Sequence, residues 1–220
     1  AFGHTFVDKK EDEYLASIPG RGHTGGTLSS NEQAQLVFFT AAFSMLAKIS
    51  KADGQITEKE IDAVERFMIY DLQLDAAGQQ TAKEIFRQAV SSQESFDAFA
   101  QQFYSVFSGQ SNIIELMLDI LIRVSVADGN ITNEEEMILL TATRIFRIST
   151  ADYERLKSRY VKKTNKYYAA LKCDESASNE EIKRQYRKLV TEYHPDKIES
   201  KGLPEEFIKF ASDKFREIQE

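Results

Sequence analysis

The sequence predicts an all-α protein: a helical body followed by a small helical hairpin. Three observations lead there. Only three prolines and ten glycines interrupt 220 residues, and Ala, Glu, Lys, Gln and Leu, all good helix formers, are abundant. Apolar residues recur at i, i+3 and i+4 along most of the chain. A helix–turn–helix pattern occurs twice.

Composition narrows the classes. With 42% apolar and 29% charged residues the chain reads as an ordinary globular protein. At about 150 residues per domain, 220 residues allow one large domain or two small ones. The formal charge of −7 argues against general nucleic-acid binding, which needs clustered cations. One cysteine, Cys173, excludes an internal disulfide and fits a reducing compartment. The three histidines, His4, His23 and His194, are too far apart to form a His-rich metal site. The longest apolar run, Leu36 to Ala47, falls short of the roughly 18 residues needed to span a bilayer and reads as a buried helix.

Residues 1–29 read as a charged stretch, DKKEDEY, and a Gly-rich linker. Gly20, Gly22 and Gly25 spell G-x-G-x-x-G, but no β-rich apolar run precedes them, so the linker reading holds over a dinucleotide site. A helix is predicted from Ser30, with Ser30 and Gln33 as a capping box, to Ile49. A second follows Thr57, with Ile61, Val64, Phe67 and Met68 on its core face. Others fall near 75–90 and 93–107, where Phe96, Phe99, Phe103 and Phe107 form a core stripe.

The element A-D-G-x-I-T-x-x-E stands at Ala52–Glu60 and again at Ala127–Glu135, 75 residues apart. Glu115, Asp119 and Arg123 share one face of the helix before the second copy; Ile114, Leu118, Leu121 and Val124 lie on the other. The repeat matches the second half of an EF-hand loop. However, Ile49, Lys51, Val124 and Val126 occupy the first and third ligand positions, and such side chains do not hold a hard cation. Helix capping explains the residues better. Gly54 and Gly129 suit left-handed turns, Thr57 and Thr132 suit N-caps, and Glu60 and Glu135 complete capping boxes behind the staples Ile56 and Ile131. Each cap is worth about 1 kcal/mol. Pooling of the carboxylates of the two turns remains the alternative.

This repeat resembles the TerB-like helical domain of tellurite-resistance proteins over roughly residues 30–150. The resemblance attaches a candidate metal set to Asp53, Glu60, Asp128 and Glu135; no cofactor is implied.

A helix at 151–163 carries Arg155, Lys157, Arg159, Lys162 and Lys163 and reads as a connector over 151–164. Three helices follow in 165–220. The first is short and carries Tyr168 and Leu171. The second, capped by Ser178 and Glu181, carries Ile182, Tyr186, Leu189, Val190 and Tyr193 on its core face and Lys183, Arg184, Arg187 and Lys188 on the other. Pro195 disfavours helix at His194 and ends it. After His194-Pro195-Asp196 a loop runs to Pro204, where a last helix with Phe207, Ala211, Phe215 and Ile218 begins.

A basic helix ending in His-Pro-Asp resembles the J domain, the DnaJ module. Tyr167, Tyr168 and Leu171 of the first helix and Lys214, Phe215 and Ile218 of the third extend the match. A TerB-like domain followed by a J domain is similar to the DjlA family of membrane-anchored bacterial co-chaperones. Gly3-His4-Thr5-Phe6 resembles the stretch that follows their anchor. The resemblance implies a non-enzyme that docks on a DnaK-type heat-shock chaperone and stimulates its ATP hydrolysis. His194, Pro195, Asp196, Lys183, Arg184, Arg187 and Lys188 would form the docking face. It further implies an N-terminal membrane helix upstream of this sequence, a homodimer through that helix, and an inner-membrane protein facing the cytoplasm. The TerB-like part reads as a protein-interaction or regulatory module whose client is not encoded legibly.

Two rivals fare worse. Cys173 and His194 as nucleophile and base would sit at opposite ends of the basic helix, roughly 20 Å apart at about 1.5 Å per residue. Nucleic-acid binding through that helix would lack exposed aromatics for stacking. The segment 165–220 holds 11 Lys and Arg against 12 Asp and Glu, so the basic face makes it dipolar rather than cationic.

Overall fold

The structure is a computed structural model that describes residues 30–54, 56–127, 131–161, 168, 171–173, 177–199 and 201–219. Among these residues the regular secondary structure is helical throughout. The helices are α1 (Ser30–Ile49), α2 (Glu58–Arg66), α3 (Ala76–Ser91), α4 (Phe96–Phe107), α5 (Ser111–Ser125), α6 (Asn133–Ile145), α7 (Thr150–Val161), α8 (Asn179–Glu192), α9 (Pro195–Glu199) and α10 (Glu205–Gln219). None of the described helices is long and apolar enough to cross a membrane.

The first helix of each repeated hairpin lies at the centre. α1 packs on α3, α4 and α5, while α5 packs on α2, α6 and α7. From Leu36 to Ile49 nearly every side chain of α1 is buried, as its all-round apolar sequence requires. Phe38 meets Phe103 and Phe107 edge-on at ring distances of 5.5 and 5.8 Å. The Phe96–Phe107 stripe is therefore core.

Both repeated turns are capping devices. The Thr57 hydroxyl accepts from the Glu60 amide at 3.3 Å, and Glu60 accepts from the Thr57 amide at 2.6 Å. Thr132 and Glu135 repeat this at 3.2 and 2.8 Å. Gly54 has φ +95°, a region that costs a side chain energy even though a Cβ there would meet nothing within 4 Å. Gly129 and Asp128 lie outside the described residues.

Four expectations change. Ile61 is 44% exposed, so the core face of α2 rests on Val64, Phe67 and Met68. Residues Phe67–Asp71 continue α2 as a π-helical turn, closed by the Leu72 amide on the Phe67 carbonyl. The segment after His194 is not all loop, because Pro195 opens α9. Tyr186 is 38% exposed among the cations of α8 rather than in its core, so that helix does carry an exposed aromatic, contrary to the expectation.

The hairpin is not a separate core. Ile198, Leu203, Phe207, Phe210 and Ala211 are buried in the same cluster as α1. Phe207 lies 4.6 Å from the Phe38 ring and 6.2 Å from Phe39, and Phe210 lies 5.7 Å from Phe67. A fully buried Phe contributes about 1.5–3 kcal/mol, so these two join hairpin to body substantially. A second, smaller cluster holds Leu189 and Tyr193 with Leu171 and Val190.

Candidate partner-docking site

The site begins with the cap of α8. Ser178 accepts from the Glu181 amide at 3.2 Å, and Glu180 and Glu181 favour the positive end of the helix dipole. α8 ends at Glu192 with Tyr193 as its cap, because His194 precedes a proline. The His194 carbonyl then accepts from the Lys197 and Ile198 amides at 2.9 and 3.1 Å, which starts α9. His194 Nδ1 accepts from the Asp196 amide at 3.3 Å, and Asp196 Oδ2 lies 3.6 Å from it. The His194 side chain is 48% exposed and that of Asp196 is 86% exposed. The tip therefore turns a carboxylate fully outward on a short, hydrogen-bonded turn.

The four predicted cations line the approach to that tip. Lys183, Arg184, Arg187 and Lys188 are all exposed on α8. Arg184 and Lys188 make loose pairs with Glu181 and Glu192 at 3.8 and 3.9 Å. Exposed pairs of this kind are worth at most about 1 kcal/mol, so they hold the cations only weakly. The structure thus brings the predicted cations, His194 and Asp196 onto one outward-facing segment.

Beneath the tip lies a set of residues whose role the sequence did not reveal. Asn112, Glu115, Asp119 and Arg123 recur along one face of α5 and meet the hairpin and its connector. Asn112 donates to the Glu192 carbonyl at 3.2 Å and accepts from Lys201 Nζ at 2.5 Å. Glu115 pairs with Lys172, whose Nζ lies 5.6 Å from the centre of the Tyr193 ring. Asp119, 5% exposed, pairs with Arg159 at 3.5 Å. Arg123 pairs with Asp71 of the π-helical turn and lies 5.7 Å from the centre of the Phe210 ring. Lys209 reaches Gln73, and Gln35 donates to the Leu203 carbonyl at 3.2 Å. The only sequence signal was four polar side chains at helical spacing in an otherwise apolar helix; their partners are distant in sequence.

Burial tunes this junction. It pushes the Tyr193 phenol well up, with the Glu115 charge adding to it. It also pulls the Lys201 ammonium down, helped by Lys197. Burial, followed by the Glu181 charge, raises the Cys173 thiol, which leaves it protonated and a poor nucleophile.

Two carboxylates of the candidate metal set are already engaged: Glu60 and Glu135 each accept from a threonine amide and hydroxyl. Among the described residues no three His, Cys, Asp or Glu side chains converge as metal ligands. Asp128, Lys162, Lys163, Tyr167 and Gly3 to Phe6 lie outside the described residues, as do the side chains of Lys214, Phe215 and Ile218.

A helical body joined to a basic helix with an exposed His-Pro-Asp tip defines a class. The family model for tellurite resistance protein TerB matches residues 39–158, and that for the DnaJ domain matches residues 166–220. Curated relatives named co-chaperone protein DjlA match over most of the chain. That of Shewanella oneidensis is 27% identical over 215 residues, 91% of this chain and 82% of the relative. Those of Coxiella burnetii and Vibrio cholerae are 27% and 26% identical, each covering 89% of this chain and 79% of the relative. The chain belongs to the DjlA family. No solved structure matches it.

Proposed function

We propose that this chain is a co-chaperone whose tip docks on a DnaK-type heat-shock chaperone and stimulates its ATP hydrolysis without itself catalysing a reaction. The observation that carries this is the exposed His194-Pro195-Asp196 turn at the end of a basic helix, within the DnaJ match. Lys183, Arg184, Arg187 and Lys188 steer the chain onto an acidic surface. Asp196 pairs with a partner cation near the hydrolytic site or its linker. His194 and Pro195 fix the turn that presents it, which lowers the entropy lost on docking.

In this reading residues 1–29 are a juxtamembrane segment and linker, 30–150 the TerB-like domain, 151–164 a connector and 165–220 the J domain. An N-terminal helix upstream of the sequence anchors the protein in the inner membrane, with this part facing the cytoplasm. The TerB-like domain is a protein-interaction or regulatory module.

Single-turnover ATP hydrolysis by a DnaK-type chaperone tests the reading, with buffer, the chain and its His194→Gln form compared. Stimulation by the parent alone is the expected result. Equal stimulation by both, or by neither, overturns it.

A further inference from the structure

Asn112 belongs to the TerB-like body, yet its side chain grips both flanks of the His-Pro-Asp tip. Its Nδ2 donates to the carbonyl of Glu192, two residues before His194. Its Oδ1 accepts from Nζ of Lys201, five residues after Asp196. The side chain is 4% exposed at the start of α5, on the face that also carries Glu115, Asp119 and Arg123. A buried amide with both ends used is an orienting group, because its hydrogen bonds demand fixed directions. The neighbouring contacts act on the same junction: Lys172 on Glu115, and Ile198 and Leu203 in the body's core. The grip leaves the docking face open, since Asp196 remains 86% exposed.

We propose that Asn112, with Lys201 as its partner, is a positioning residue that holds the tip in its docking-competent form, so that the TerB-like body takes part in presenting the J domain. This rests on the docking reading above. Without the grip the tip populates other conformations, and the apparent affinity for the partner falls by the fraction lost. The rate at saturation is unchanged, because docking selects the competent form.

The test uses the full chain and its Asn112→Ala, Lys201→Met and doubly substituted forms. Partner ATP hydrolysis is titrated with each. The concentration for half-maximal stimulation should rise about fivefold in Lys201→Met, which removes one ordinary hydrogen bond, and further in Asn112→Ala, which removes two, with the saturating rate kept in both. The double variant should be no worse than Asn112→Ala. Amide hydrogen exchange, measured without partner, should quicken over residues 193–199 and stay unchanged in α1. An unchanged half-maximal concentration, additive losses, or exchange that rises equally in α1 overturns the proposal. If the parent chain fails to stimulate, the docking reading falls; exchange over 193–199 still decides whether Asn112 holds the tip.

Discussion

α1 and α8 are both regular helices, yet they are used differently. α1 hides Phe38, Phe39, Phe43, Met45 and Leu46 at no more than 1% exposure. α8 fully buries Leu189 and shows its four cations to solvent. The body gains its stability from its own packing. The hairpin leaves the cationic face of α8 exposed and anchors through α9 and α10, whose Ile198, Phe207 and Phe210 sit in the body's core. A segment of about 55 residues is marginal alone; here the body supplies part of the core that its outward face gives up.

The largest expected effect tests that sharing. Phe207→Ala removes a ring that touches Phe38, Phe39 and Phe67. It should cost about 3–5 kcal/mol in denaturant unfolding and loosen body and hairpin together. If the body melts as before while the hairpin alone is lost, the shared core is wrong. The capping boxes come next. Ala at Glu135, which is 7% exposed, should cost about 1 kcal/mol, and Ala at the more exposed Glu60 less, both read from the unfolding midpoint. Equal losses would show that burial adds nothing to the second cap.

On α8 the expectation reverses. Arg187→Ala with Lys188→Ala should move stability by no more than about 0.5 kcal/mol. It should weaken partner stimulation several-fold and flatten its salt dependence. A large stability loss would mean that this face packs rather than presents. The smallest effect concerns Glu206 at the start of α10. Burial raises its carboxyl, opposed by its backbone hydrogen bond and reinforced by the Glu205 and Asp75 charges. A raised folded-state value means that the ionised form costs stability above it, and that the cost vanishes below the ordinary carboxyl range near pH 4. Glu206→Gln should therefore stabilise slightly at pH 7 and leave stability unchanged below about pH 4. A benefit that persists at acid pH would assign the effect to packing instead.

Much of the fold and the tip could be read from sequence. Thr57 with Glu60, Thr132 with Glu135, the phenylalanine stripe of α4 and the stop at Pro195 all depend on groups within about four residues of one another. So does the arrangement that puts His194 and Asp196 at the end of a basic helix. Ile61 and Tyr186 kept the right spacing for a core but faced solvent, because periodicity names a face without saying what covers it.

The sequence by itself thus determined where helices begin and end and which residues form the outward face of the tip, since short-range hydrogen bonds and side-chain spacing decide these. Only the tertiary structure decided what Asn112, Glu115, Asp119 and Arg123 are for. Asn112 and Glu192 are 80 residues apart, and Lys172 and Glu115 are 57 apart. Such partners are brought together by the assembled core, in which Phe207 and Phe210 of α10 are buried with the body, and no local pattern encodes that juxtaposition.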